Sequence, residues 1–195
     1  VRRPNHWNTS WDQARFESVG HRFADLSERD YGVALLNDCK YGYDVKDNVL
    51  RISLLRSGKQ PDHIQDVGMH TFTYALLPHT GDLVDGGVVK SAHALNNPMQ
   101  TVAGCEEKGS ASFFTVDNAQ VEIDAVKKSE DGKYLVIRFH DFAGAKQKVR
   151  VKPEFAFKAW AEGDLRERPT EEMRTENAVE VSLHPYEIIT LLFEL

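Results

Sequence analysis

Apolar side chains recur at every second position along much of this chain, the pattern of strands that turn one face to a core. Leu50, Ile52 and Leu54 alternate with Arg51 and Ser53 after a Lys46-Asp47-Asn48 turn. His70, Phe72, Tyr74 and Leu76 alternate with Thr71, Thr73 and Ala75, and Pro78 is expected to close that strand. Leu135, Ile137 and Phe139 follow a Glu130-Asp131-Gly132 turn; Val149 and Val151 stop at Pro153. Phe155, Phe157 and Ala159 continue the alternation, and Val179, Val181 and Leu183 end at Pro185. Residues Ile188 to Leu195 are almost uniformly apolar, which predicts a strand buried on both faces or one filling an interface.

Helical periodicity is sparse. Val88 to Asn97 carries Val89, Ala92 and Leu95 on one face and is stopped by Pro98. Ser57 to Gly68, with Gly58 and Pro61, reads as a long loop, and residues 1–12 as an irregular opening segment whose Trp7 and Trp11 dock on a neighbouring surface. A polar, glycine-flanked stretch from Gly104 to Ser110 divides the strands into two groups, 1–110 and 111–195. The expected fold class is therefore all-β: an antiparallel β-sandwich with a second small β-domain and one short helix.

Composition narrows the function classes. The 195 residues carry 24 basic and 30 acidic side chains, a net charge of −6, with no basic tract. That balance argues against nucleic acid or an anionic membrane as partner. No apolar run is long enough to span a bilayer, and none opens the chain as a secretory leader. The chain begins at Val1 rather than Met and reads as a piece of something longer. Cys39 and Cys105 are too few for a disulfide framework and are expected as free thiols, which favours a cytoplasmic location. Asn8-Thr9-Ser10 fits the glycosylation acceptor pattern, a triplet frequent by chance.

Catalytic signatures are absent from the sequence. The eight histidines form no HxH or HExxH set, although His70 and His79 bracket one expected strand. There is no GxSxG elbow, phosphate-binding loop or GxGxxG turn. Nothing marks an activating base for Cys39, which reads as a small apolar residue near a strand end. Carboxylates are plentiful, but sequence cannot place two of them at the roughly 5 Å a retaining glycosidase needs. The chemically richest segment runs from Leu35 through Asn37, Asp38, Lys40 and Tyr41 to Asp44, with Gly42 supplying backbone freedom. Amides, carboxylates and ammonium groups beside aromatic rings suit sugar hydroxyls and the apolar face of a pyranose. The same residues equally suit an ordinary hairpin, since Asn-Asp is good turn chemistry and tyrosines pair across strands.

Several ordered motifs resemble a known family. Asn8-Thr9-Ser10-Trp11-Asp12, Ala14-Arg15-Phe16-Glu17, His21 and Ala24-Asp25-Leu26-Ser27 resemble the region that follows the barrel in class II α-mannosidases, glycoside hydrolase family 38. Tyr31-Gly32-Val33 leading into Leu35-Leu36-Asn37-Asp38-Cys39-Lys40-Tyr41-Gly42 resembles that family's most recognisable C-terminal motif. Ser53-Leu54-Leu55-Arg56-Ser57, Pro61-Asp62, Asp66, Gly68, His70, Phe72, Tyr74 and Pro78-His79 continue it in order. Asn118, Val121-Glu122, Lys127, Leu135, Ile137-Arg138 and Pro185-Tyr186-Glu187-Ile188-Ile189-Thr190-Leu191 resemble the small terminal β-domain of the bacterial, fungal and vacuolar-type members. The loop at Gly58-Lys59-Gln60 and His63-Ile64-Gln65 matches no family feature.

The resemblance implies retaining hydrolysis of α-mannosides with zinc and an aspartate nucleophile, both on an N-terminal catalytic domain that is not part of this sequence. It implies no catalytic residue and no metal ligand here, and a supersandwich-like β-region packed on that domain. Asn37, Asp38, Lys40, Tyr41 and Arg56 are the residues expected to line the substrate cleft and orient sugar hydroxyls. The expected partners are mannose-containing oligosaccharides, the catalytic domain of the same protein and a homo-oligomeric copy. Two other readings remain open. A free-standing carbohydrate-binding module would need a row of exposed aromatics, which Trp7, Trp11 and Trp160 do not form on one strand. A structural oligomerisation module would use the apolar final strand.

Overall fold

The computed structural model describes residues 5, 6, 8–104 and 109–195. Two compact units emerge, Val1–Val102 and Ala103–Leu195. The chain is mostly strand, arranged in several antiparallel sheets.

The first unit opens with a short helix, α1 (Ser10–Ala14). Thr9 caps it: its hydroxyl accepts from the Asp12 N–H at 3.2 Å while the Asp12 carboxylate accepts from the Thr9 N–H at 3.0 Å. This reciprocal pairing satisfies two of the free donors at a helix start, so the stretch expected to be irregular contains one ordered turn. Trp11, on that turn, is 73% exposed, and Phe16 beyond it is also exposed; Trp7 lies outside the described residues.

Two three-stranded sheets follow. One comprises β1 (Glu17–Val19), β4 (Gly42–Lys46) and β5 (Val49–Ile52), with β4 central. The other comprises β2 (Phe23–Ser27), β3 (Tyr31–Asn37) and β6 (Tyr74–Thr80), with β3 central. Helix α2 (Val88–Asn96) lies on this second sheet and seals a small core of Ala34, Leu36, Val88 and Ala92, flanked by Phe23, Ala75, Leu77, Leu83 and Leu95. Helix and helix face are those that the 3.6-residue period predicts.

Strand β6 corrects the expected strand at His70–Leu76. It begins at Tyr74 and runs through Pro78, which pairs with Val33 instead of ending the strand. β6 is an edge strand, so a residue without an N–H is tolerated where no ladder bond is required. His79, next along, is buried. Its side chain is 3% exposed and its Nε2 lies 2.9 Å from Oδ1 of Asp25, itself 6% exposed. The Ser27 hydroxyl donates to the other Asp25 oxygen at 2.8 Å. The imidazole reaches β2 because Gly32 lies opposite it on β3, where a Cβ would fall 2.5 Å from the ring. Gly86 leaves the ring equally little room, its notional Cβ lying 2.3 Å from Nδ1.

The second unit is a sandwich. Strands β7 (Phe114–Val116), β10 (Gln147–Pro153) and β12 (Val179–Leu183) form one sheet. Strands β8 (Val121–Lys128), β9 (Tyr134–Asp141), β11 (Ala159–Gly163) and β13 (Ile188–Glu194) form the other, in the order β11-β13-β9-β8. Val149, Val151, Val179, Val181 and Leu183 from the first meet Ile137, Phe139, Trp160, Leu191 and Phe193 from the second in one core. Trp160 is buried with its indole N–H satisfied by the Glu176 carbonyl at 3.0 Å, and the Arg174 guanidinium stands 4.7 Å above its ring.

The apolar run at the end of the chain is a central strand with Ile189 to Phe193 buried without interruption, as the sequence predicts. The Phe155–Phe157–Ala159 alternation is not one strand: β11 starts only at Ala159. Phe155 and Phe157 lie before it and pack edge-on against Phe193, at 5.5 and 5.3 Å between ring centroids. Alternate spacing there serves aromatic packing instead of a ladder.

Candidate functional site

The polar turn between β3 and β4 is organised by Asn37, which is 1% exposed. Its Oδ1 accepts from the N–H groups of Cys39 at 3.1 Å and Lys40 at 2.5 Å, and its Nδ2 donates to the Tyr43 hydroxyl. Its main-chain N–H donates to the Arg22 carbonyl at 2.8 Å, and its carbonyl accepts from Nδ2 of Asn96 on α2 at 3.0 Å. An amide whose groups are all committed to the protein builds a turn. These bonds give Asn37 a turn-building part in the fold. Tyr43 is buried with it, and burial pushes its phenol above the ordinary range, partly offset by the Asn37 bond.

The residues after Asn37 come to the surface. Asp38 ties the turn to the segment before β6: its carboxylate accepts from the Thr73 N–H at 3.0 Å, and its N–H donates to the Thr73 carbonyl at 3.2 Å. Hydrogen bonds from the Cys39 thiol and Thr73 hold the Asp38 carboxyl below its usual range, while the same carboxylate pushes the Cys39 thiol up. Cys39 is therefore a surface thiol held in its protonated form, not the apolar filler expected near a strand end. Cys105 lies outside the described residues.

Lys40 places its ammonium 4.8 Å from the Phe72 ring centroid. Tyr41 is 55% exposed and stacks on His21, rings 10° from parallel and 5.7 Å apart. The Tyr41 carbonyl accepts from the Gly20 N–H at 3.0 Å, which fixes its backbone against β1. Arg56 is exposed on the segment after β5, beyond Ser53, whose N–H donates to the Gly42 carbonyl at 2.8 Å. Of the five residues named from sequence, Asp38, Lys40 and Tyr41 thus share one rim, Asn37 lies beneath it and Arg56 stands apart along the chain. Sequence reasoning placed no role on His21 or Phe72 at this rim; their contacts arise only when β1 and the segment before β6 fold beside the turn.

A shallow depression of about 480 Å³ lies at the opposite end of the β3–β6 ladder, lined by Tyr31, Pro78, His79, Thr80, Asp85 and Gly86. His70 and His79 do not form a pair: His70 is exposed and bonds the Asp66 carbonyl at 3.0 Å, whereas His79 bonds Asp25. Among the described residues no three His, Cys, Asp or Glu side chains converge as a metal site. These residues do not fit a bound zinc ion.

Replacing Asn37 by alanine leaves the Tyr43 hydroxyl and two turn N–H groups without a partner. We expect a loss of about 2–3 kcal/mol in unfolding free energy, read from urea denaturation. Asn37→Asp restores the acceptor but not the donor and should recover part of it.

Antiparallel β-sheets in two compact units define an all-β protein of the sandwich class. Residues 1–64 match the glycosyl hydrolases family 38 C-terminal domain, and residues 120–191 match the glycosyl hydrolases family 38 C-terminal beta sandwich domain. The whole chain is 37% identical to part of human alpha-mannosidase 2C1, and 74% of it is 45% identical to part of alpha-mannosidase G of Dictyostelium discoideum. The crystal structure of an alpha-mannosidase from Enterococcus faecalis V583 shares the fold over the whole chain, with a TM-score of 0.77 at 21% identity. The chain belongs to glycoside hydrolase family 38 and corresponds to its C-terminal domains. It covers 20% of the human relative, 14% of the Dictyostelium relative and 23% of the Enterococcus chain. No helix among the described residues is long and apolar enough to cross a membrane.

Proposed function

We propose that this chain is the C-terminal accessory β-region of a retaining, zinc-dependent α-mannosidase that removes terminal α-mannosides. It rests on a catalytic domain of the same polypeptide and is inactive alone. The observation that carries this reading is the ordered match of both units to family 38 C-terminal domains, with relatives named alpha-mannosidases over the full chain. The exposed Trp11, Phe16 and Val19 of the first unit supply apolar surface for that contact. Units 1–110 and 111–195 are assigned as the sandwich region and the small terminal β-domain.

Within this reading the rim bearing Asp38, Lys40 and Tyr41 borders the substrate cleft and orients sugar hydroxyls, while Asn37 holds the rim in place and Arg56 lines the cleft from the separate segment after β5. A cytoplasmic location accords with Cys39 being a free thiol. The test is turnover of a chromogenic α-mannoside with added zinc. The full-length protein is expected to turn it over and this chain is not. Metal-dependent turnover by the purified chain alone would sink the reading.

A further inference from the structure

Three parts of the first unit carry polar or aromatic groups that the fold leaves uncommitted: the depression beside His79, the exposed Tyr74 and Leu76 of β6, and the His21–Tyr41 pair. The first rests on a single buried nitrogen, and nothing on the molecule shows what covers the second.

His21 and Tyr41 present near-parallel rings at 5.7 Å on the rim of the Asn37 turn. Both are exposed, and among the described residues neither the phenol nor the imidazole nitrogens hydrogen-bond to the protein. The pair is nevertheless held in position. The Tyr41 carbonyl accepts from the Gly20 N–H, one residue before His21, which brings the segment after β1 beside the residue that precedes β4. Beneath them Asn37 fixes the turn through Tyr43 and Asn96. An exposed, mutually stacked aromatic pair whose hydroxyl and ring nitrogens are uncommitted among the described residues suits a pyranose, which offers an apolar C–H face edged by hydroxyls. The Asp38 carboxylate and the Lys40 ammonium, on the same turn, add an acceptor and a donor.

We propose that His21 and Tyr41 form a stacking platform for a sugar residue on the leaving-group side of the scissile bond. This rests on the α-mannosidase reading above. An open rim suits the part of a glycan that stays wet, whereas the reacting sugar needs an enclosed site. The platform thus favours oligosaccharides over small mannosides, and Asn37 is its positioning residue.

The experiment compares the full-length protein with its Tyr41→Ala, His21→Ala and Tyr41→Phe forms on α-mannotriose and on α-mannosyl fluoride, whose leaving group has no ring. In Tyr41→Ala, KM for mannotriose is expected to rise about tenfold, and at least three times more than KM for the fluoride. Tyr41→Phe keeps the ring and should stay within about threefold of wild type on mannotriose. Equal rises on both substrates, or none on either, overturn the platform. Calorimetric binding of mannotriose to the same proteins separates the two readings. If wild type hydrolyses neither substrate, the α-mannosidase reading falls; mannotriose binding weakened by Tyr41→Ala would then still uphold the stacking contact, and binding indifferent to it would remove that too.

Discussion

Asp25→Ala should lower the stability of the first unit by about 1–3 kcal/mol, because it leaves a buried imidazole nitrogen without its hydrogen-bond partner. The pair spans 54 residues and joins two strands that do not pair with each other, with Gly32 of β3 between them. Asp25 also accepts the Ser27 hydroxyl, so the same substitution frees a second polar group. His79→Ala removes the other partner and opens a cavity, and should be comparably destabilising.

Gly86→Ala gives a sharper test of the geometry. Its new methyl would fall 2.3 Å from Nδ1 and 2.5 Å from Cγ of His79, so it should cost about 1–3 kcal/mol in wild type. In a His79→Ala background part of that penalty should vanish, since the ring atoms at 2.3 and 2.5 Å are removed while the Cβ of residue 79 stays at 2.8 Å. A double-mutant cycle in urea reads this coupling directly. Additive effects would mean that the ring does not lie against Gly86.

The second large effect belongs to Asp141, which is fully buried at the end of β9. Its carboxylate accepts from the main-chain N–H groups of Ala143 at 3.1 Å, Gly144 at 2.8 Å, Ala145 at 3.2 Å and Tyr186 at 2.9 Å, and from the Gln147 amide. One side chain therefore closes the β9–β10 turn and ties it to the approach to β13. Burial alone pushes the carboxyl up, but the four backbone donors together outweigh it and hold it below the ordinary range. Asp141→Ala leaves those donors unpaired and should cost about 3–5 kcal/mol, measured by urea unfolding at neutral pH.

The pH dependence follows from the depressed folded value. The ionised group stabilises the fold fully above the unfolded carboxyl value of about 4. That contribution is lost as pH falls from there through the lower folded value. Asp141→Asn should therefore lie well below wild type at pH 7, with the gap narrowing as the pH is taken below about 4. A gap that stays constant with pH would show that the carboxylate charge does not contribute.

Much of the fold was legible in the order of residues. Ile188 to Leu195 announced a central strand because a strand buried on both faces has no polar alternation to display. The helix Val88–Asn96 was legible from its one apolar face and from Pro98. Two misreadings have definite causes. Pro78 looks like a terminator, yet on an edge strand its missing N–H breaks nothing. Phe155 and Phe157 alternate like a strand, yet their spacing brings two rings onto Phe193 from a bend.

At the rim, the sequence marked the Asn37–Tyr41 segment as rich in polar and aromatic groups but left the role of each residue open. What separates Asn37 from Tyr41 is contact with distant residues: Nδ2 of Asn96, 59 positions away, donates to the Asn37 carbonyl, while among the described residues nothing comparable engages the Tyr41 hydroxyl. By itself the sequence determined the strand period, the turns, the short helix and the family, because each is written in neighbouring residues. Only the tertiary structure decided that Asp25 meets His79, that Asp141 gathers donors from two loops, and that His21 lies against Tyr41. Those meetings depend on which strands pair and in what register, and residues far apart in the chain carry no local trace of the partner they will face.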